Sequence, residues 1–362
     1  MKKRVAIVVP SLRGGGAERV IVNIVRKLDL NKIDLRLILL KKEGPYVQYL
    51  PDNIKVVDLK TGRVRYSIFK LIKEINRFKP DVIFSTLGHL NLAILLIRKL
   101  LIGSPKIIIR EANTPSQALR SLSTSKKLLF KFLYHLLYPT ADRIVAQCED
   151  MKQDIIETFK INADKIVRIY NPINFNEIKQ KSTEFNPYNE EDINIVAVGR
   201  LTYQKGFDVL IDSFKIVNKK IPNAKLTILG EGEWKEKLKR QIETNNLKDR
   251  VSVLGFKSNP YPYYKYADLY VLSSRWEGFP NALLEALACG TKIVSTDCKS
   301  GPREILGENE YGFLVKPNDV NDLARGMICA LEATKKDTDR AKIYDIDHII
   351  KQYLELFLEE DI

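Results

Sequence analysis

The sequence predicts an α/β protein built from two doubly wound, Rossmann-like domains, and three observations predict it. Short apolar runs alternate with stretches of helical periodicity along the whole chain. The alternation falls into two series, separated by a polar segment carrying two Asn-Pro pairs. At 362 residues the chain has room for two domains of ordinary size, each with its own core.

The first series has apolar runs at residues 5–9, 35–40, 82–84, 107–109 and 144–146. They read as parallel strands buried on both faces, because they are continuous instead of alternating. Helical spacing lies between them, as in Val20, Ile21, Ile24, Val25 and Leu28. The second series begins at 193–199 and continues at 225–230, 251–255, 268–273 and 291–296. The expected organisation is an N-terminal domain over 1–170, a linker over 171–192 and a C-terminal domain over 193–344. The amphipathic segment 345–362 is expected to form a terminal helix that packs back on the N-terminal domain. Two such domains facing each other leave a cleft between the carboxyl ends of their sheets, where ligands of doubly wound folds bind.

Composition excludes several classes. A chain that is 45% hydrophobic and 29% charged is a globular one. Cys148, Cys289, Cys298 and Cys329 form no C-x-x-C pair and there are only three histidines, which argues against a disulfide framework or a zinc site. Pro10 interrupts the first apolar run, and the run at 92–97 ends at Arg98 and Lys99, so neither a secretory leader nor a membrane span is expected. A cytoplasmic setting follows. The net charge of +14 is lopsided. Residues 1–180 hold 33 lysines and arginines against 16 acids, and the remainder is slightly acidic. That points to an anionic partner for the first half alone.

Three loops carry the chemistry. "PSLRGGGAERV" follows the first strand and opens the first helix, and its glycines let backbone approach a ligand closely. It lacks the G-x-G-x-x-G spacing and the acidic second-strand end of a nicotinamide site. "GRLTYQKGFDVLIDSF" opens the second domain, with Arg200 and Lys205 flanking a turn into a helix; two cations beside a helix N-terminus suit a diphosphate. "SSRWEGFPNALLEALACG" reads as turn and helix after a buried strand, with Asn281 as N-cap. It sets Glu277 before the turn and Glu285 inside the helix, seven residues between them. Carboxylates around an anion site fit a ligand with both phosphates and sugar hydroxyls. The loops "LGEGEW" and "LGFKSN" lie on the same sheet edge, where a nucleotide base would fit.

Together with "VRIYNPIN" at the domain junction, these loops resemble glycosyltransferase family 4, and the resemblance runs through the whole chain. It implies the GT-B fold and a retaining transferase that moves a hexose or N-acetylhexosamine from a nucleotide-sugar, a UDP-sugar before a GDP-sugar. The donor would be a co-substrate, with no cofactor. In that pattern Arg200 and Lys205 hold the diphosphate, Glu285 the ribose, and Glu277 the transferred sugar beside Gly278, Phe279, Pro280 and Asn281. Gly15 and Gly16 would close on the phosphates. Many relatives carry a histidine near the fourth or fifth strand of the first domain as a sugar contact; here "IIIREANTPS" has none, and His89, Arg110, Glu111 and Asn113 are the acceptor-side candidates. No metal is expected, because the two D-x-D stretches, 337–339 and 345–347, lie in the charged tail. The expected role is in bacterial surface-polysaccharide or glycoconjugate synthesis, on a lipid-linked glycan acceptor.

Residues 126–139 explain the charge in this reading. At helical spacing Leu128, Leu129, Phe132, Leu133, Leu136 and Leu137 share one face, expected to be core. Phe130, Tyr134 and Tyr138 fall opposite, with Lys127 and Lys131, as an outward face for an anionic bilayer. The protein is thus expected as a peripheral one on the inner face of the cell membrane. Within enzymes the rival is a nucleotide-sugar epimerase or a phosphorylase of the same fold. The rival outside enzymes is a basic membrane- or nucleic-acid-binding protein, but nucleic acid is not an expected partner, since no stacking aromatics interleave with the basic residues in one sheet.

Overall fold

The computed structural model describes residues 2–120, 122–334 and 339–359. Its strands form two parallel sheets. The first contains β1 (Lys3–Val9), β2 (Ile33–Leu39), β3 (Lys55–Asp58), β4 (Val82–Thr86), β5 (Lys106–Arg110), β6 (Arg143–Ala146) and β7 (Ile166–Arg168), in the order β3-β2-β1-β4-β5-β6-β7. The second contains β8 (Ile193–Val198), β9 (Ala224–Leu229), β10 (Val251–Val253), β11 (Leu269–Leu272), β12 (Ile293–Thr296) and β13 (Phe313–Val315), in the order β10-β9-β8-β11-β12-β13. Both are doubly wound α/β sheets, as expected.

The central strands are the ones the apolar runs announce, since they are buried on both faces: β4 and β5 are buried at every position. The strands without a sequence signal are β3, β7 and β13, all at sheet edges and three or four residues long. Edge strands are short for a reason, because an unpaired edge invites further pairing. A run such as "IVR" is then too short to reveal a period.

The chain divides into two compact units, one running to Pro172 and resuming at Ile346, the other spanning Ile173–Asp345. The segment 171–192 is not a bare linker. It contains the helix Phe175–Lys181, capped by the Asn174 side chain accepting from the Glu177 N–H. From Ile173 onward it belongs to the second unit, where Asn259 Nδ2 donates to the Lys181 carbonyl at 3.1 Å and the Tyr188 hydroxyl to the Tyr263 carbonyl at 3.0 Å. The helix Ile346–Leu358 lies in the core of the first unit. The Phe84 ring of β4 meets Tyr353 at 5.7 Å and Phe357 at 5.4 Å, both edge-on. Each such buried side chain stabilises that unit by roughly 1.5–3 kcal/mol.

Each sheet has one place where the strand order reverses, between β1 and β4 and between β8 and β11. Loops leaving the carboxyl ends of two such strands diverge and leave room for a ligand. The glycine loop follows β1. The Arg200 and Lys205 loop follows β8, and the Glu277 loop follows β11. The chemistry-bearing motifs therefore lie where this topology binds ligands.

Candidate active site

In the second unit the β8 and β11 loops are sewn together. Gly206 ends the short helical turn Tyr203–Lys205 and precedes the helix Phe207–Lys220 with φ 63°. A Cβ there would lie 2.1 Å from the Ser273 carbonyl oxygen, so only glycine permits this approach. The Ser273 hydroxyl donates to the Lys205 carbonyl at 2.8 Å and the Arg275 N–H to the Gln204 carbonyl at 2.8 Å. The Gln204 amide donates back to the Trp276 carbonyl at 2.9 Å. Arg275, which sequence reasoning did not single out, holds both ends. Its guanidinium donates to Asp208 Oδ1 at 2.9 Å, to Oδ2 at 2.8 Å and to the Tyr203 carbonyl at 2.6 Å. It also lies 4.0 Å over the Tyr203 ring. The signal for this residue, an Asp two positions after the loop glycine and an Arg two positions before Glu277, has meaning only once β8 and β11 are known to be neighbours.

This stitching brings Lys205 and Glu277 together. Lys205 Nζ lies 2.6 Å from Glu277 Oε1, and the same oxygen accepts from the Ser274 hydroxyl at 2.5 Å. The resemblance assigns the two to different parts of a ligand; in the structure they form one ion pair, with Glu277 buried and Lys205 half-buried. Arg200 is exposed and has no ion pair among the described residues. Gly278, Phe279 and Pro280 are buried in the turn. The helix that follows is Asn281–Ala288, so Asn281 is its first residue and the cap position belongs to Pro280, with no side-chain cap. The turn supplies the bend through Pro280, whose own ring fixes φ at −74°. Glu285 is buried on that helix, and its Oε2 accepts from the Tyr264 hydroxyl at 3.3 Å. The two acids converge on Tyr270. Burial raises that hydroxyl well above its ordinary range, and the charges of both Glu277 and Glu285 raise it further. Among the described residues no cluster suited to a metal ion is found, and Asp337 of the first D-x-D stretch lies outside them.

In the first unit Gly15 precedes the helix Gly16–Lys27, with Glu18 in its first turn. A Cβ on Gly15 would lie 2.1 Å from Glu18 Oε2, so this side chain folds over the helix start. After β4, Leu87 adopts φ 78°, a conformation costly for a branched side chain, and turns the chain into the helix that carries exposed His89. Asn113 is partly buried after β5. Arg110 and Glu111, at the end of β5 and just after it, are buried. Arg110 is fully buried, donating to Asn171 Oδ1 at 2.5 Å and to the Thr86 hydroxyl at 3.3 Å. Glu111 accepts from the Tyr138 hydroxyl and is also buried. Both side chains take part in hydrogen bonds inside the unit. Burial pushes the Glu111 carboxyl up to about 7, although hydrogen bonds from Tyr138 and Asn91 and the Arg110 charge oppose it.

That network also reverses the helix Thr124–Leu137 and the turn after it. Tyr134 and Tyr138 are buried, not outward. Tyr134 stacks on Phe159 at 4.5 Å, and Tyr138 crosses Tyr134 edge-on at 4.7 Å. Leu128, Leu129, Phe132 and Leu136, expected in the core, are exposed. Phe130 is half-buried, and Lys127 and Lys131 are exposed. Hydropathy chose the wrong face because it could not see the buried carboxyl at Glu111 that draws in a tyrosine hydroxyl.

The chain matches two family models, Glycosyltransferase Family 4 over residues 14–177 and Glycosyl transferases group 1 over residues 178–344. An uncharacterized glycosyltransferase of Methanocaldococcus jannaschii is 34% identical over 332 residues, 79% of this chain and 81% of that one. A Campylobacter jejuni N-acetylgalactosamine-N,N'-diacetylbacillosaminyl-diphospho-undecaprenol 4-alpha-N-acetylgalactosaminyltransferase is 32% identical over 98% of this chain and all of its own. In structure the chain is similar to Anabaena HepE in complex with UDP-glucose, with a TM-score of 0.80, 19% identity and 98% of each chain covered. This likeness supports the GT-B fold. The chain thus belongs to glycosyltransferase family 4.

Proposed function

We propose that this glycosyltransferase moves a hexosyl or N-acetylhexosaminyl group from a UDP-sugar to a lipid-linked glycan, with retention of configuration at the anomeric carbon. The observation that carries the reading is the Lys205–Glu277 pair, held 2.6 Å apart between two stitched loops at a point of strand reversal. A nucleotide-sugar needs a cation for its diphosphate next to an acceptor for its sugar hydroxyls, and this pair supplies both. The bond from the anomeric carbon to the diphosphate oxygen breaks and its electron pair stays on the diphosphate, while an acceptor hydroxyl oxygen forms the new bond to that carbon and its proton leaves with the diphosphate. Lys205 and Arg200 neutralise that growing charge, aided by the N-terminus of the helix Asn281–Ala288. With two cations assigned to it, the leaving group has no need of a metal ion. Glu277 orients the sugar hydroxyls, and Glu285 accepts from the ribose.

The donor reading draws support from the Anabaena protein, whose complex holds UDP-glucose. The acceptor and retention draw support from the Campylobacter relative, named for an alpha-linked transfer to a diphospho-undecaprenol glycan, and from an Escherichia coli relative named for alpha-1,3-galactosyl transfer to a diphosphoundecaprenol acceptor. A lipid-linked acceptor implies a peripheral protein on the cytoplasmic face of the membrane, with no nucleic acid among its partners. Among the described residues no helix is long and apolar enough to cross a bilayer.

The test is product analysis by mass spectrometry with UDP-sugars and an undecaprenyl-diphosphate-linked glycan. A glycan longer by one sugar, formed together with UDP, supports the reading. Sugar isomerised without any acceptor would instead indicate an epimerase.

A further inference from the structure

The helices Val64–Phe78, Gly88–Ile97 and Thr124–Leu137 form one layer on the first sheet. They are the crossovers that carry the chain from β3 through β4 and β5 to β6, all moving one way across the sheet, so right-handed crossing puts them on the same face. The first packs on the second and the second on the third. The Asn76 side chain ties the first to the segment after the second, donating to the Leu100 carbonyl at 3.0 Å and accepting from the Ile102 N–H at 2.8 Å.

The outward side of this layer is unusually apolar. Phe69 is 86% exposed, Leu128 65%, Leu96 and Phe132 63% each. Monomer surfaces scatter such side chains singly; a set spread over three adjacent helices marks a contact surface. Its charge names the partner. Arg65, Lys73 and Arg77 on the first helix and Lys127 and Lys131 on the third are exposed. The only acidic residue in the three helices is Glu74, and it is already held by Arg36 at 2.9 Å. A protein interface has an apolar core depleted of charged residues inside a polar rim. Apolar side chains interleaved with cations of one sign match the headgroup region of an anionic bilayer instead.

We infer that the outward face of these three helices is the membrane-docking surface, seated on anionic phospholipid with Phe69, Leu128 and Phe132 inserted among the headgroups and the cations against the phosphates. This deepens the proposed function and rests on its lipid-linked acceptor for the choice of a bilayer. It differs from the sequence-based expectation in residues and extent: the inserted side chains are leucines and phenylalanines, not Tyr134 and Tyr138, and two further helices take part.

The experiment is flotation of the full chain with vesicles of phosphatidylcholine, alone or mixed with phosphatidylglycerol. Wild type should partition onto the anionic vesicles at least about tenfold more than onto neutral ones, and salt should weaken the binding. Leu128→Ser/Phe132→Ser and Lys127→Glu/Lys131→Glu should each lower partitioning at least about tenfold. Both should keep the wild-type circular dichroism and urea midpoint, because the four side chains are exposed. Transfer to a short water-soluble acceptor should survive in both variants. Loss of that transfer in wild type would defeat the functional reading, whereas flotation reads the surface independently. Wild type that ignores anionic vesicles at low salt overturns the inference. So does wild type that sediments as a dimer and is dissociated by the Leu128/Phe132 variant, which would make the face a contact between copies.

Discussion

Arg275→Ala tests whether the stitching of the two loops is what positions Lys205. The change removes a bidentate ion pair whose side chains are 8% exposed on Arg275 and 24% on Asp208. Breaking a buried pair by deleting one partner costs about 3–5 kcal/mol, because the other charge stays in place without compensation. Asp208 keeps some contact with water, so the lower end applies. Deleting Arg275 Nε, buried with no partner among the described residues, returns about 1 kcal/mol. The expected net loss is about 2 kcal/mol. The sequence has two tryptophans, Trp234 and Trp276, and both lie in the second unit, so tryptophan fluorescence follows the unfolding of that unit alone. With a urea slope of about 2 kcal/mol per molar, the midpoint should fall by about 1 M. Asp208→Ala in the same background should add much less than it costs alone, since the pair is already broken. Arg275→Lys should recover only part, because an ammonium cannot make the two parallel bonds. A midpoint shift below about 0.3 M, or additive losses in the double variant, would refute the reasoning. Acid provides a second check. Burial alone would raise the Asp208 carboxyl, but hydrogen bonds and charge from Arg275, joined by backbone N–H groups, outweigh it and hold it below the usual carboxylate range. A lowered carboxyl stabilises the fold above its unfolded-state pKa and loses that contribution as pH falls through the folded-state value. The acid-side loss should therefore shrink in Arg275→Ala.

Three further outcomes are expected. Glu285→Ala should weaken UDP-sugar binding at least about tenfold, since each hydrogen bond to a charged acceptor contributes about 1.5–3 kcal/mol, while the helix keeps its fold; calorimetry giving wild-type affinity would end the ribose assignment. Arg200→Ala and Lys205→Ala should lower kcat more than donor affinity, because diphosphate charge grows as the bond breaks, and a chelator should leave wild-type turnover intact; a pure affinity loss would make both cations ground-state binders. Glu111, raised from 4.5 to about 7 by burial, holds its proton more tightly folded than unfolded, so stability of the first unit should fall on the order of 3 kcal/mol as pH rises from 4.5 to 7 and level off above; Glu111→Gln should lack that slope in urea unfolding followed by circular dichroism.

How much of the molecule its sequence discloses depends on how far apart the cooperating residues lie in the chain. The two sheets are legible because a strand buried on both faces writes itself as a local apolar run, as in β4 and β5. Glu277 and Glu285 are legible because one turn and one short helix hold both. Lys205 is legible as a cation in a strand-to-helix loop. Its contact with Glu277, 72 residues on, is not, since that needs the order β8-β11. Arg275 and Asp208, 67 residues apart, stay unremarkable for the same reason.

The helix Thr124–Leu137 carries the sharper version of that limit. Its leucines satisfy every local criterion for a core face, and its tyrosines and lysines every criterion for a wet one. The choice between the faces is made by groups far away in the chain: Glu111, which the Tyr138 hydroxyl reaches, and Phe159, against which Tyr134 stacks. A tyrosine buries most of its ring and still satisfies its oxygen if an acceptor is waiting, whereas a leucine gains the same kind of burial from any apolar surface, including one outside the protein. The interior of the first unit therefore selects the aromatic side of the helix and turns the aliphatic side outward beside Lys127 and Lys131. With a bilayer supplying the missing burial, a helix wrongly oriented by the rules for soluble proteins is correctly oriented for two solvents at once.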